Sequence, residues 1–285
     1  MSALLLLARS LPLPTVLGPS GGVVTVQLLH SQALDQMGTV WYYAYHYVGT
    51  ADTRHHRVFV ALPHHDESSL IATMRRYPGS WWMVGNEPND PYQDNLSPTT
   101  YAAFYHRFAR IAQRADPMAR LMSAGIANAD WQWAEAFREA YHQAHGAYPR
   151  IDAWNVHNYV LEPDHSQLDQ DVFRQRLIAF RTWMSHIGED DKPLVLSEFG
   201  VLMGQERHDT RYEPPEAINA YIHETVRWLH ETDYVQSWAW FASHTSGLFN
   251  GDLYDQSDQL TPYGKAYRDA LQTLPGVEHA APDAP

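Results

Sequence analysis

The chain has 285 residues, 45% of them hydrophobic and 19% charged, with no cysteine. That length supports one large domain with a sizeable core, and the missing cysteines remove disulfide scaffolds, thiolate metal sites and cysteine nucleophiles together. Twenty Lys+Arg against 33 Asp+Glu leave a formal charge of −13, which repels a phosphate backbone, so nucleic acid is not an expected partner.

No apolar run reaches the roughly 20 residues of a membrane span, so no membrane partner is expected either. Residues 1–22 read as an N-terminal segment. Leu4–Leu7 has the composition of a shortened signal h-region, but residues 1–8 hold no Lys or Arg for its positive flank. An extracellular or envelope location is preferred, with no signal peptide to establish it. The domain proper is expected over 23–275, and 276–285 as a C-terminal tail.

From Val23 onward, short β-branched or aromatic runs alternate with longer amphipathic stretches. Eight strands are predicted: Val23–Leu28, Thr39–Tyr45, Val58–Leu62, Trp81–Gly85, Leu121–Gly125, Ala153–Tyr159, Leu194–Ser197 and Val235–Phe241. Most are near-continuous apolar runs, as befits strands covered on both faces. Between them, a short helix is predicted from about Glu67 to Arg76. Ser97-Pro98 then supplies an N-cap and a first-turn proline for a helix with Tyr101, Phe104, Tyr105, Phe108, Ile111 and Ala112 on one face. It should stop before Asp116-Pro117. Phe173, Leu177, Phe180, Met184 and Ile187 repeat the pattern ahead of Gly188, and Ile218, Tyr221, Ile222 and Leu229 repeat it after Pro214-Pro215.

Eight strands alternating with helices over about 250 residues suit a single-domain (β/α)8 TIM barrel, an α/β fold, whose first half is compressed: only 18 residues lie between Leu62 and Trp81. A doubly wound open sheet satisfies the same alternation, but no Gly-rich phosphate loop follows the first strand.

In such a barrel, chemistry sits where strands end. Two glutamates stand there. Glu87 follows Trp81-Trp82-Met83-Val84-Gly85-Asn86, and Glu198 follows Leu194-Val195-Leu196-Ser197. A carboxylate at the end of an apolar strand costs desolvation unless it is paired or opens on a cleft. A salt bridge or helix cap explains one such residue easily, and two together less so.

Asn86-Glu87-Pro88 at the fourth strand and Glu198-Phe199-Gly200 at the seventh resemble the glycoside hydrolases of clan A, retaining barrel enzymes. The resemblance implies cleavage of O-glycosidic bonds in a polysaccharide or oligosaccharide, with Glu87 as general acid/base, Glu198 as nucleophile and Asn86 on the sugar 2-hydroxyl. Two carboxylates about 5–5.5 Å apart fit retention, and a wider separation fits inversion. Asn155, His157 and Tyr159 alternate on one face of the sixth strand. By the same resemblance, His157 binds the sugar and Tyr159 holds the nucleophile. Trp238 and Trp240 share a face of the eighth strand. The clan places an aromatic sugar platform there, and Trp240 is the expected one, with Trp238 as packing.

Trp41, Tyr43 and Tyr45 alternate along the second strand. Together with the Val58-Phe59-Val60 strand and the Gly85-Asn86-Glu87-Pro88 turn, they narrow the resemblance to the alkali-sensitive-linkage-type glycosyl hydrolases, a group that includes endo-β-1,3-glucanases. This implies a β-glucan substrate, with Trp41 and Tyr43 among the binding residues. The third strand departs from that group, with Ala61-Leu62-Pro63-His64-His65 in place of its Pro-Met-x-Trp element.

No cofactor and no metal are expected. The 17 histidines include the pairs His55-His56 and His64-His65, but adjacent histidines on a strand face opposite ways. Ser123, Ser197 and Ser243 lack a Gly-x-Ser-x-Gly setting, which argues against a serine hydrolase. The rival reading is a carbohydrate-binding barrel without catalysis, stacking sugars on Trp240 and the second-strand tyrosines.

Overall fold

The computed structural model describes residues 20–26, 31–45, 55–202, 213–245 and 251–275. The expected segment 1–22 falls outside these residues up to 19, and the expected tail 276–285 lies wholly outside them. Eight parallel strands form the centre: β1 (Ser20–Val24), β2 (Trp41–Tyr43), β3 (His56–Ala61), β4 (Trp81–Val84), β5 (Arg120–Met122), β6 (Trp154–His157), β7 (Leu194–Phe199) and β8 (Val235–Trp240). Their order is β5-β4-β3-β2-β1-β8-β7-β6. The remaining seam, between β5 and β6, is closed by the parallel bridges Met122↔Ala153 and Ile126↔Val156 and by hydrogen bonds such as Asp152 N–H to Leu121 O at 2.8 Å. The sheet is thus a (β/α)8 barrel and not a doubly wound open sheet.

The helices are α1 (Ser31–Met37), α2 (Glu67–Arg76), α3 (Pro98–Ala115), α4 (Trp131–His145), α5 (Gln170–His186), α6 (Pro215–Glu231) and α7 (Pro262–Gln272). Their ends follow local chemistry. The Ser97 side chain caps α3, Pro98 opens it, and the helix stops at Ala115 before Asp116-Pro117. Asp130, Asp169 and Thr261 cap α4, α5 and α7 with their side chains. The compression of the first half is real: α1 and α2 have 7 and 10 residues, against 18 in α3.

The strands alternate between two apolar layers. Val23, Tyr42, Phe59, Trp82, Trp154 and Trp238 face the helices, whereas Val24, Trp41, Val58, Met83, Val195 and Ala239 fill the barrel interior. β1 starts at Ser20, three residues before the expected Val23. Gly21 and Gly22 conceal it, because glycine is a poor strand former. They are there for space: a Cβ on Gly22 would stand 2.4 Å from the Trp41 ring, and one on Gly21 2.2 Å from Leu271.

Candidate active site

β4 ends in a strained turn. Gly85 has φ +102, where a side chain would crowd Tyr101, Ala124 and Asp94. Glu87 follows with φ +42, a left-handed conformation that costs a non-glycine residue about 1–3 kcal/mol and persists only where the surroundings hold it. They do. Glu87 N–H donates to Gly125 O at 2.9 Å, the Asn86 N–H donates to Asp94 Oδ2 at 2.7 Å, and the Asn86 side-chain amide donates to Gln93 Oε1 at 3.1 Å. Asp94 is the anchor of this turn, and burial raises its pKa.

β7 delivers Glu198 by a different device. Leu196 pairs with Trp238 and Phe199 with Trp240, so three steps on β7 answer two on β8. On the other side, Val156 pairs with Leu196 and His157 with Glu198. The extra residue lets Ser197 and Glu198 both face inward: the Ser197 hydroxyl meets Met83 Sδ at 3.6 Å, and Glu198 turns to the second-strand tyrosines. Bulges re-aim side chains in this way beside active sites.

Glu87 and Glu198 therefore meet, 6% and 4% exposed, although 111 positions separate them in the chain. One oxygen of each, together with a His157 ring nitrogen, lies within 4.8 Å of the others. His157 Nδ1 is 3.0 Å from Glu87 Oε1 and 3.3 Å from Glu198 Oε2. Its Nε2 is buried with no hydrogen-bond partner among the described residues and fits only because residue 125 is glycine, where a Cβ would be 2.0 Å away. Burial alone lowers the His157 pKa, but the Glu198 charge, the hydrogen bond to Glu87 and the Glu87 charge outweigh it and raise the pKa above the ordinary histidine value.

Three phenols converge on Glu198. Tyr43 donates to Oε1 at 2.5 Å and Tyr159 to Oε2 at 2.7 Å. The Tyr45 hydroxyl also lies against Oε1 and is 3.0 Å from Asn86 Oδ1, its one proton serving one acceptor or the other. Burial and the negative charge of Glu198 push all three phenol pKa values well up, which keeps them protonated donors. On distance alone, Glu87, His157 and Glu198 could hold a divalent cation. The phenol donors, however, already occupy lone pairs of Glu198 that such an ion would need.

The other expected site residues divide. Asn86, Tyr43, His157 and Tyr159 gather around the glutamates. Trp240 does not: it is 0% exposed, packs edge-on against Phe199 and donates its indole N–H to Gly251 O at 2.7 Å. The Trp238/Trp240 face of β8 is the helix-facing one, so Trp240 cannot be a sugar platform. The aromatic at that strand end that reaches the mouth is Phe241, half-buried and edge-on to Tyr159 with ring centres 6.4 Å apart. Trp41 is a second correction. It is 1% exposed, forms the barrel floor beneath Tyr43 and donates to Ser20 O at 3.2 Å, out of a substrate's reach. Tyr43 is fully buried as well, and its hydroxyl is engaged by Glu198. Tyr45 continued the second-strand alternation and Asp94 lay seven residues past Glu87, so the first was findable in the sequence; nothing local signalled the second.

A closed parallel barrel with two inward carboxylates at its strand ends belongs, as a class, with hydrolytic (β/α)8 enzymes. The chain is a member of the glycosyl hydrolase catalytic core family, which matches residues 22–267, and is accordingly a glycosidase. No curated protein matches it in sequence. Among solved structures it is similar to a GH128 (subgroup I) endo-β-1,3-glucanase from Amycolatopsis mediterranei in complex with laminaritriose, at 19% identity and a TM-score of 0.67, over 89% of this chain and 100% of that one. A subgroup II endo-β-1,3-glucanase from Pseudomonas viridiflava is 21% identical with a TM-score of 0.66, over 90% and 98%. A curdlan-specific exo-β-1,3-glucanase from Blastomyces gilchristii in complex with glucose is 20% identical with a TM-score of 0.64, over 86% and 97%. At these identities the likeness is one of fold.

Proposed function

We propose that this glycosidase cleaves β-1,3-glucan with retention of anomeric configuration, with Glu198 as nucleophile and Glu87 as general acid/base. The observation that carries the reading is the approach of one oxygen from each carboxylate to within 4.8 Å, a close pairing that favours double displacement over the wider separation of inversion. The β-1,3-glucan preference draws on the glucanases of like fold and on the second-strand tyrosines.

In the first step an oxygen of Glu198 bonds to the anomeric carbon while that carbon's bond to the leaving oxygen breaks, and Glu87 gives its proton to the leaving oxygen. In the second, water attacks the anomeric carbon, Glu87 takes a proton from that water, and the Glu198 ester bond breaks. Tyr43, Tyr45 and Tyr159 hold the Glu198 carboxylate in place through their donated hydrogen bonds. His157, between the two acids, stabilises negative charge on whichever carries it. Asn86, tied to Gln93 and Tyr45, is the residue offered to the sugar 2-hydroxyl. The unit that carries the reaction is the barrel, expected over 23–275, and no cofactor enters the scheme.

The test is Glu198→Ala assayed on laminarin, curdlan, xylan and mannan. Turnover should vanish, and azide should restore it in part with an inverted glycosyl azide as product. Activity that survives the substitution on any glycan the parent cleaves would remove Glu198 from this role. Binding of glucan with no reducing ends released by the parent would favour the non-catalytic barrel instead.

A further inference from the structure

Beside the barrel mouth, between the first turns of α4 and α5, lies a groove of about 830 Å³, within the 300–1,000 Å³ of small-molecule sites. Its walls include Asn89, Asn128, Trp131, Gln132, Gln175 and Arg176, and neither glutamate of the candidate site. The groove is nonetheless joined to that site. Asn89, two residues past Glu87, clasps the Ala127 peptide from both sides, accepting its N–H at 2.9 Å and donating to its carbonyl at 3.0 Å. Arg176 donates to the backbone carbonyl of Tyr159 at 2.6 Å, the residue whose hydroxyl holds Glu198.

The lining specifies the chemistry of an occupant. Its two charges are already engaged: Asp130 accepts the Trp133 N–H at 3.0 Å as the cap of α4, and Arg176 is paired with Glu162. With Arg176 ion-paired, the lining offers no free cation to draw an anion. Gln132 and Gln175 are exposed, their side chains making no hydrogen bond among the described residues, and Trp131 is partly exposed while packing against the core. A free amide offers donors and acceptors together, which suits hydroxyl groups that do both, and an indole beside it presents a flat apolar face. Asn128 and Ala129 hold this wall in left-handed conformations, φ +58 and +48, unfavourable for residues other than glycine.

We propose that this groove is a second carbohydrate site, which takes a length of the neutral glucan chain outside the cleavage pocket and leads it toward Glu87 and Glu198. It rests on the glucanase reading for the identity of its sugar, and on the groove's own lining for its existence. Trp131→Ala, and separately the exposed pair Gln132→Ala/Gln175→Ala, which leaves core packing untouched, are compared with the parent. Sedimentation with insoluble curdlan measures binding; laminarin and laminaritriose serve as long and short substrates. The groove variants should raise KM for laminarin about fivefold or more and reduce curdlan binding in step, with kcat and KM for laminaritriose unchanged. Parental curdlan binding and laminarin KM in both variants would overturn the groove site and leave the glucanase reading intact. If the parent hydrolyses neither glucan, yet binds curdlan in a way both variants lose, the groove site stands and the catalytic proposal fails. No curdlan binding by the parent overturns the groove site.

Discussion

Around Glu198 three phenols do what bulk water does for an exposed carboxylate, and they do it with fixed geometry. Hydrogen bonds to a charged group contribute about 1.5–3 kcal/mol, and each 1.36 kcal/mol is a factor of ten in rate. Tyr159→Phe should therefore lower kcat about 10–100-fold with little change in KM, read from initial rates on laminarin; an unchanged kcat would take Tyr159 out of the positioning shell. His157 gives a pH signature. Its pKa is higher in the folded protein than in the unfolded chain, so folding binds its proton more tightly. The resulting stability is complete below the unfolded value near pH 6.5 and is lost as pH rises through the folded value. Thermal unfolding of the parent and of His157→Gln between about pH 6 and pH 9 should show the parent's advantage shrinking upward in pH. An advantage that grows with pH would mean His157 is held neutral.

At the scale of elements, two irregularities make the site. The turn after β4 puts a non-glycine residue at φ +42, and the slip in β7 inserts a residue between Leu196 and Phe199. Neither was legible beforehand, since a bulge depends on which partner strand it faces and a strained φ on the hydrogen bonds that pay for it. Helices were the most legible parts, because their caps and periodic faces are written locally. The Ser97 cap, the stop before Pro117 and the buried face of α3 all lie where the pattern put them. Trp240 shows where period-two reasoning stops: it placed Trp238 and Trp240 on one face correctly, but which face is inner follows from the closure of the whole sheet. The glycine pair of β1 carries its own prediction. In Gly22→Ala the new methyl meets the Trp41 ring at 2.4 Å, and overpacking of this kind costs typically about 1–3 kcal/mol. A lower thermal midpoint is expected, and an unaltered one would show that the floor around Trp41 yields freely.

For the molecule as a whole, closure runs through β1, which pairs with β2 on one side and β8 on the other. Its first three residues are not ornamental: Ser20 O accepts the Trp41 indole N–H at 3.2 Å, Gly22 O accepts the Tyr267 hydroxyl at 2.8 Å, and Ser20, Gly21 and Gly22 pair with Ser237, Trp238 and Ala239. Removal of residues 1–22 should accordingly destabilise the barrel relative to removal of residues 1–19, by several degrees in thermal midpoint on the scale of a few kcal/mol for a protein of this size. Equal midpoints would place the start of the folding unit at Val23, as first expected. The charge of −13 acts at this scale too, biasing the whole surface toward neutral or cationic partners.

What the linear order of residues determined by itself was everything written over short range: eight apolar strands, capped amphipathic helices between them, hence a barrel, and two glutamates at strand ends that mark its chemistry. What only the folded chain decided was which side chains share a space. Alternation along a strand assigns residues to the same face, but inside and outside, and the register that brings Glu198 level with His157, arise from neighbours more than a hundred residues away. Contacts across a closed sheet leave no trace in the segments that make them, and so Asp94, Tyr45 and Phe241 joined the site while Trp41 and Trp240 withdrew into the core.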